Sequence, residues 1–474
     1  MRLKERDGQA ELRANYLSLA DVVSQSIANI APTGTPCLTI PLVAAGAGNA
    51  TWFVYTIATI GLAFIGLHVS MFARQFSVSG SIYSYVRLAK GRSWAFPVGW
   101  GLYAAYLFTA VSTLIGSGIF FKEFFQVLGI SWLPIYLVAA VEGGVIWFLA
   151  YRDIKFSSKL ALFLEAVSVS MIVVMSVIAL FHGGSLVDRN QLSMKGSSVR
   201  GIALGMVMAT FSFVGFESAA TLGLESKSPH RNVPIAVMGS TVFVGVLFAF
   251  ASYVEVRALG ALPLANQPAP MSAMARMYHL PWLGVITEFG AGISFFSCAL
   301  ASLNAASRVM FSLARDQIIG ERCAWVHERN RTPHIAISIT ALLTLLVVIA
   351  MTWAQPMDAY GYTGTIATYG FLLSYIAIAI VGIAYVWNRK VQSVAYIVSG
   401  ILGIVMMAIP AVGSVYPVPS FPYNLLPYVF MLYIVVGLAW YMRTVRKKKH
   451  VWAFTDKLEA ALEDIEGGDV SSGA

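Results

Sequence analysis

Residues 26–37 read Ser-Ile-Ala-Asn-Ile-Ala-Pro-Thr-Gly-Thr-Pro-Cys in the middle of a long apolar run. Pro32 and Pro36 each remove a backbone donor, and Gly34 relaxes the chain. A helix passing through this stretch is interrupted. At membrane depth such backbone is tolerated only where protein covers it or where it lines a cavity. Past the interruption, Thr35 suits the N-cap of a restarting helix and Pro36 its first position. The amides of Thr33, Gly34 and Thr35 would then face the break with the positive end of the helix dipole, which favours a carboxylate. A proline-kinked helix without a ligand is the plain alternative.

A second stretch offers the opposite polarity. Residues 211–217 read Phe-Ser-Phe-Val-Gly-Phe-Glu, placing Gly215 and Glu217 inside another apolar run. A helix that ends here leaves carbonyls around Phe211, Ser212 and Val214 unpaired, and these favour an ammonium group. One donor cluster and one acceptor cluster at the same depth describe a site for a zwitterion, most simply an α-amino acid. Interrupted spans in corresponding positions of two repeats point to a transporter site.

The elements that must position these residues are membrane helices. The chain has 474 residues, 58% hydrophobic and 12% charged, about half the charge of a soluble protein. Twelve apolar spans of roughly bilayer length are expected near 17–46, 51–73, 95–127, 132–151, 156–181, 199–225, 233–257, 281–313, 334–353, 360–387, 393–415 and 424–444. The runs are continuous, unlike the alternation of a β-barrel. Of the 32 lysines and arginines, only Lys122, Arg189, Lys195, Arg200, Arg257 and Arg276 fall on one side of that topology. Both termini are therefore expected in the cytoplasm, and the net charge of +9 belongs to the inner membrane face, not to a nucleic-acid site. The polar stretch Met1–Arg13 and the length of the first apolar run argue against a cleaved leader. Behind Arg446-Lys447-Lys448-Lys449, residues Leu458, Leu462 and Ile465 have the spacing of a short amphipathic helix at the lipid surface, although stop-transfer anchoring explains the lysines as well.

These motifs resemble the amino acid–polyamine–organocation permeases. Their first span reads close to I-G-x-I-I-G-T-G-I-F, against Ile27-Ala28-Asn29-Ile30-Ala31-Pro32-Thr33-Gly34-Thr35-Pro36 here. The sixth-span sequence Phe211–Ser218, the loop Glu225–Pro234 and the stretch Asn304–Asp316 are also similar to members of that family. The resemblance implies an all-α membrane protein of the leucine/sodium symporter (LeuT-like) fold: twelve helices, with a five-plus-five inverted repeat over 17–182 and 199–388. Helices 1 and 6 would be broken, and two extra helices would occupy 393–446. Tails at 1–16 and 447–474 would be cytoplasmic, in the cell (inner or plasma) membrane. It further implies that Ile30, Thr33, Gly34 and Thr35 bind the carboxylate and that Phe211, Ser212 and Val214 bind the amine. Phe211 would be the lid over the substrate, with Phe216 as a second gate, and Glu217 the proton-sensing carboxyl. The lysine that replaces sodium in some members is absent, since Ser168 stands at its position. A sodium site would need oxygens such as those of Ser297 and Ser302. The departure at Pro32 and Pro36 bears on the carboxylate geometry.

Ionisable residues within the bilayer are costly and mark function by default. Glu217 borders the break. Glu165 could pair with Lys159, Glu142 could face a neighbouring helix, and Glu288 and His68 have no placed partner. Glu225, beside Lys227 and Arg231, reads as an ion pair of the inner surface. The reading is a secondary transporter of an amino acid, by exchange or coupled to H+ or Na+, with a small-molecule substrate, lipid as surroundings and a monomer or homodimer as assembly. A transporter of amines or polyamines is the alternative within the fold. A membrane enzyme or sensor is disfavoured, because the seven histidines form no H-E-x-x-H set and the tails are short. No phosphate loop for an ATP-driven pump occurs. Cys37, Cys298 and Cys323 are too scattered for a disulfide framework or a zinc cluster, so no cofactor or metal is expected.

Overall fold

The computed structural model describes residues 11–446 apart from 128, 131, 153, 183–184, 268, 389–392 and 417, and gives no side-chain environment at 127, 154–161 and 164. The amphipathic stretch at 452–465 and the side chain of Lys159 lie outside what is described. Helices are the only extended regular elements among the described residues: α1 (Leu19–Ile30), α2 (Ile40–Ala47), α3 (Thr51–Ala73), α4 (Ile82–Lys90), α5 (Arg92–Val127), α6 (Ile135–Arg152), α7 (Ile154–His182), α8 (Arg189–Leu192), α9 (Val199–Phe211), α10 (Pro229–Leu259), α11 (Ala261–Ala265), α12 (Pro270–Met277), α13 (Pro281–Arg315), α14 (His334–Ala350), α15 (Pro356–Asn388) and α16 (Val394–Gly413). A last helix, α17, occupies Tyr423–Arg446.

Ten helical stretches among the described residues are long and apolar enough to cross a membrane. The first of these, Leu19–Ala73, carries two of the expected spans, whereas α14, with 17 residues, falls short of the length. α5 and α13 cover the expected third and eighth spans almost residue for residue. α4, α8, α11 and α12 lie outside the expected spans, because each is too short to show a bilayer-length apolar run. Val246, Trp282, Leu342 and Ile349 stand exposed, a surface suited to lipid and not to water.

Both expected interruptions are present. α1 starts on a capping box, with the Ser18 hydroxyl accepting from Asp21 N–H and Asp21 accepting from Ser18 N–H. It stops at Ala31, whose φ of 52° is left-handed, a conformation that costs a β-carbon-bearing residue about 1–2 kcal/mol. Pro32 then denies the helix its next donor. Thr35–Thr39 forms a π-helical turn, closed by Ile40 N–H on Thr35 O, and α2 continues the line. In the other segment, α9 is capped by Ser198 and ends at Phe211. Gly215 turns with φ 92°, and Phe216–Leu222 follows as a 3₁₀ stretch. The span expected over 199–225 is thus two pieces, divided at the expected interruption. Gly215 answers to two demands at once: its φ suits glycine, and a Cβ there would overlap the Asn29 side-chain amide.

Candidate functional site

The two interruptions are stitched to each other. The Ser26 hydroxyl donates to Phe216 O at 2.7 Å and accepts from Ala219 N–H at 3.3 Å. The Ser218 hydroxyl donates to Gln25 O at 3.1 Å. On the other flank of α1, Gln25 Nε2 donates to Ala301 O at 2.9 Å and the Cys298 thiol donates to Asn29 O at 2.9 Å. α1 is therefore clamped between the 3₁₀ stretch and α13.

Where the breaks meet there is a narrow cleft with about 240 Å³ of atom-free space. The first interruption contributes Asn29, Ile30, Ala31, Thr35 and Thr39. The second contributes Phe211, Ser212 and Val214. Thr109 and Thr113 come from α5, Phe295 and Cys298 from α13, and Tyr360 from α15. No charged side chain is among these residues.

The backbone polarity follows the expectation with two corrections, at Thr35 and at Phe211. Ala31 N–H bonds Ala28 O and Thr35 N–H bonds Ala31 O, while the N–H groups of Thr33 and Gly34 find no backbone acceptor among the described residues. At the second break the Phe211 carbonyl is not free, because it accepts from Val214 N–H at 3.1 Å. The carbonyls of Ser212 and Val214 have no backbone donor among the described residues. The acceptor end is therefore Ser212 and Val214, with the chain tightened by a turn that engages Phe211.

Side chains complete the cleft. Phe211 meets Tyr360 edge-on at 5.9 Å between ring centres, and Tyr360 meets Phe295 at 5.7 Å. Tyr360 is held by a 2.8 Å hydrogen bond between its hydroxyl and that of Thr39, and by the Ser112 hydroxyl donating to its carbonyl. Three rings from α9, α13 and α15 thus roof the side of the cleft toward α2. Phe295 also covers the first break: a Cβ on Gly34 would lie 2.6 Å from its ring. Gly34 sits behind Phe295, and neither it nor Thr33 lines the cleft, while Ile30, Thr35, Phe211, Ser212 and Val214 do.

Asn29, Phe295, Cys298 and Tyr360 were not singled out as binding residues from sequence. Asn29 is the most informative. It is buried, its Oδ1 accepts from the Ser302 hydroxyl, and its Nδ2 has no partner. A buried amide donor without an acceptor is expensive unless a ligand supplies one. The legible signal was a side-chain amide directly before the Pro-Thr-Gly break.

Glu217 lies off the cleft, fully buried, with the Tyr106 hydroxyl donating to Oε1 and the Tyr375 hydroxyl to Oε2, each at 2.7 Å. Phe216 packs on the Tyr375 ring at 5.3 Å and does not line the cleft. Ser168, Ser297 and Ser302 are buried outside it. Ser168 lies against Gly290, and Ser302 is about 18 Å further along α13 at 1.5 Å per residue, so these two hydroxyls do not converge on one cation. Glu225 pairs with Arg308 and not with its sequence neighbours: Nε and Nη2 reach Oε2 at 2.9 and 2.8 Å, fully buried. The Glu225 carbonyl also accepts from Tyr16 and Leu17 N–H, and Lys227 N–H donates back to Leu17 O. The strand-like segment before α1 is therefore strapped to the loop after the second break.

This architecture, interrupted apolar helices around an uncharged polar cleft, agrees with comparison to known proteins. The amino acid permease family model matches residues 21–454. The branched-chain amino acid permease BcaP of Bacillus subtilis (strain 168) is 25% identical over 397 residues, covering 79% of this chain and 81% of that protein. The low-affinity putrescine importer PlaP of Escherichia coli (strain K12) is 26% identical, covering 72% and 75%. The methylthioribose transporter of Bacillus subtilis (strain 168) is 24% identical, covering 68% and 71%. The chain belongs to the amino acid permease family, and it is a multi-pass transporter of the plasma membrane rather than an enzyme.

Proposed function

We propose that this transporter moves a small α-amino acid with an uncharged side chain, by alternating access around the cleft. The observation that carries this reading is the chemistry of the lining: the unpartnered Asn29 amide donor at the first break, carbonyls of Ser212 and Val214 without a backbone donor among the described residues, and no charged side chain between them. Backbone dipoles of this kind hold a carboxylate and an ammonium without a buried counter-ion. Phe211, Phe295, Tyr360 and Ile30 supply apolar surface for the substrate's side chain. A diamine presents two cations and no anion. The nearest carboxyl of the break, Glu217, already accepts two tyrosine hydroxyls, so relatives that carry branched-chain amino acids are better guides to this cleft than the putrescine importer.

In this reading the chain crosses the membrane twelve times with both termini cytoplasmic. Residues 17–182 and 199–388 form two inverted repeats, and 393–446 adds two further spans. Phe211 and Tyr360 close the cleft toward the outside. The strap at Leu17 and the Arg308–Glu225 pair close it toward the cytoplasm. Purified protein in proteoliposomes, loaded with labelled leucine or valine, tests the substrate class. Unlabelled amino acids are expected to compete and their decarboxylated amines are not. Competition by the amines alone overturns the reading.

A further inference from the structure

Behind the cleft wall, α7 and α13 run side by side with a polar seam between them. Gly290, Ser294, Cys298 and Ser302 recur every four residues along α13 and so share one face. Cys298 lines the cleft and Ser302 holds Asn29. One turn away from Cys298, about 6 Å along the axis, the Ser294 hydroxyl donates to Glu165 Oε2 at 3.0 Å. One turn further, Ser168 of α7 lies against Gly290. Glu165 is 1% exposed, and its Oε1 has no hydrogen-bond partner.

We infer that Glu165 is the proton-carrying group of this transporter, loaded and unloaded through the α7–α13 seam as the cleft changes access. The inference deepens the transport reading above and rests on it. The chemistry is one proton transfer. A proton from water at one membrane face bonds to the Glu165 carboxylate, giving the carboxylic acid, and is returned to water at the other face. No electrons move and no further reactant is needed. Glu165 fits because one oxygen is held and the other is open to receive. Glu217 fits less well, because both of its oxygens are already accepting. Among the described residues, α1, α6, α10, α12 and α13 bring no charged side chain to the Glu165 carboxyl, and its titratable neighbour is the Cys298 thiol. Among the described residues no fixed counter-charge faces this group, which leaves the proton itself as its partner.

The test uses the full chain in proteoliposomes, comparing the parent with Glu165→Gln, Glu165→Asp and Glu217→Gln. In the first arm, leucine counterflow without a pH gradient is compared with accumulation driven by an inward proton gradient, with a trapped pH dye reading proton entry. Glu165→Gln is expected to keep counterflow within about twofold, and to lose gradient-driven accumulation and leucine-dependent proton entry by about tenfold or more. Glu165→Asp should restore part of both. Gradient-driven accumulation at the parent level in Glu165→Gln overturns the inference. So does loss of counterflow together with accumulation in a variant that still melts cooperatively, because Glu165 would then be holding the cleft. A parent protein that exchanges leucine but ignores the gradient overturns the inference while leaving the proposed function standing. A parent that moves no amino acid overturns the proposed function instead. The second arm needs no substrate. Infrared difference spectra between acidic and alkaline buffer should show a protonated-carboxyl band that Glu165→Gln removes and Glu217→Gln retains. A difference spectrum unaffected by Glu165→Gln overturns proton exchange at this group. Should Glu165→Gln fail to fold, Ser294→Ala carries both arms: it is expected to shift the pH profile of gradient-driven uptake and the carboxyl band together, and an unmoved profile and band overturn the inference.

Discussion

Gly34→Ala isolates what Phe295 does at the first break. The backbone at Gly34 has φ −64° and ψ −38°, which alanine adopts without strain and in which it is the better helix former. Any loss must therefore come from the added methyl. That methyl would lie 2.6 Å from two atoms of the Phe295 ring and 2.9 Å from a third, roughly 1 Å inside ordinary carbon–carbon contact. The ring can retreat only toward the cleft. Phe120 stacks on it at 5.9 Å, Tyr360 abuts it at 5.7 Å, and Gly116 lies on its remaining flank. Overpacking of this kind costs about 1–3 kcal/mol, and if Phe295 yields into the cleft the cost falls on substrate affinity. The expected result is a Kd for labelled leucine weakened by about 5- to 150-fold, measured by equilibrium binding to the purified protein. Phe295→Leu in the Gly34→Ala background frees the space, so the double variant should bind more tightly than Gly34→Ala alone, a coupling of opposite sign to simple additivity. Parent-like affinity in Gly34→Ala, or an additive double variant, refutes the argument that Phe295 is wedged against the break.

Asn29→Ala removes the unpartnered Nδ2 donor, and substrate affinity is expected to fall by about tenfold, the worth of one hydrogen bond, in the same binding measurement. Glu217→Gln offers one acceptor where the tyrosines of α5 and α15 use two, which should lower stability by about 1–3 kcal/mol, read as a lower thermal midpoint with the Tyr106→Phe variant as comparison. Arg308→Gln strands Glu225 in a sealed environment at a cost of about 3–5 kcal/mol. Arg308→Gln with Glu225→Gln should recover most of the lost melting temperature, and a double variant as unstable as the single would show that the pair is not the cause.

The interruptions were legible because backbone chemistry announces them locally. Pro32, Gly34, Pro36 and Gly215 change donors and torsions within their own segments, and no partner has to be known. The roof of the cleft was not legible in the same way. Phe295 and Tyr360 sit in long apolar runs, where an aromatic reads as core or as lipid surface until the rotation of each helix about its axis is fixed. Glu225 shows the same limit for charges. Lys227 and Arg231 were its neighbours in sequence, but the loop turns them away, and the guanidinium that meets it comes from a residue 83 positions on. Ser168 entered as the position of an absent lysine, and Ser297 and Ser302 as oxygens for a sodium site; all three are buried outside the cleft.

A cleft that binds by backbone ends has a consequence for how transport is driven. The Asn29 amide and the carbonyls of Ser212 and Val214 carry partial charges that neither titrate nor require a counter-ion. In the proposed reading they hold a zwitterion at any pH at which it stays a zwitterion, so binding by itself couples to nothing. A gradient acts on such a site only through a group whose charge changes and whose surroundings move with the cleft. Glu217 ties α5 and α15 to the second break through two hydroxyls, a geometry that holds the helices at fixed distance. Among the described residues Glu165 instead hydrogen-bonds α13 through Ser294, one turn behind Cys298, which donates to the last residue but one of α1. Any tilt of α1 that opens the cleft pulls on Asn29 and Cys298, and through α13 on the environment of Glu165. Separating the binding chemistry from the driving chemistry in this way would let substrate specificity change at the cleft lining without disturbing the proton path.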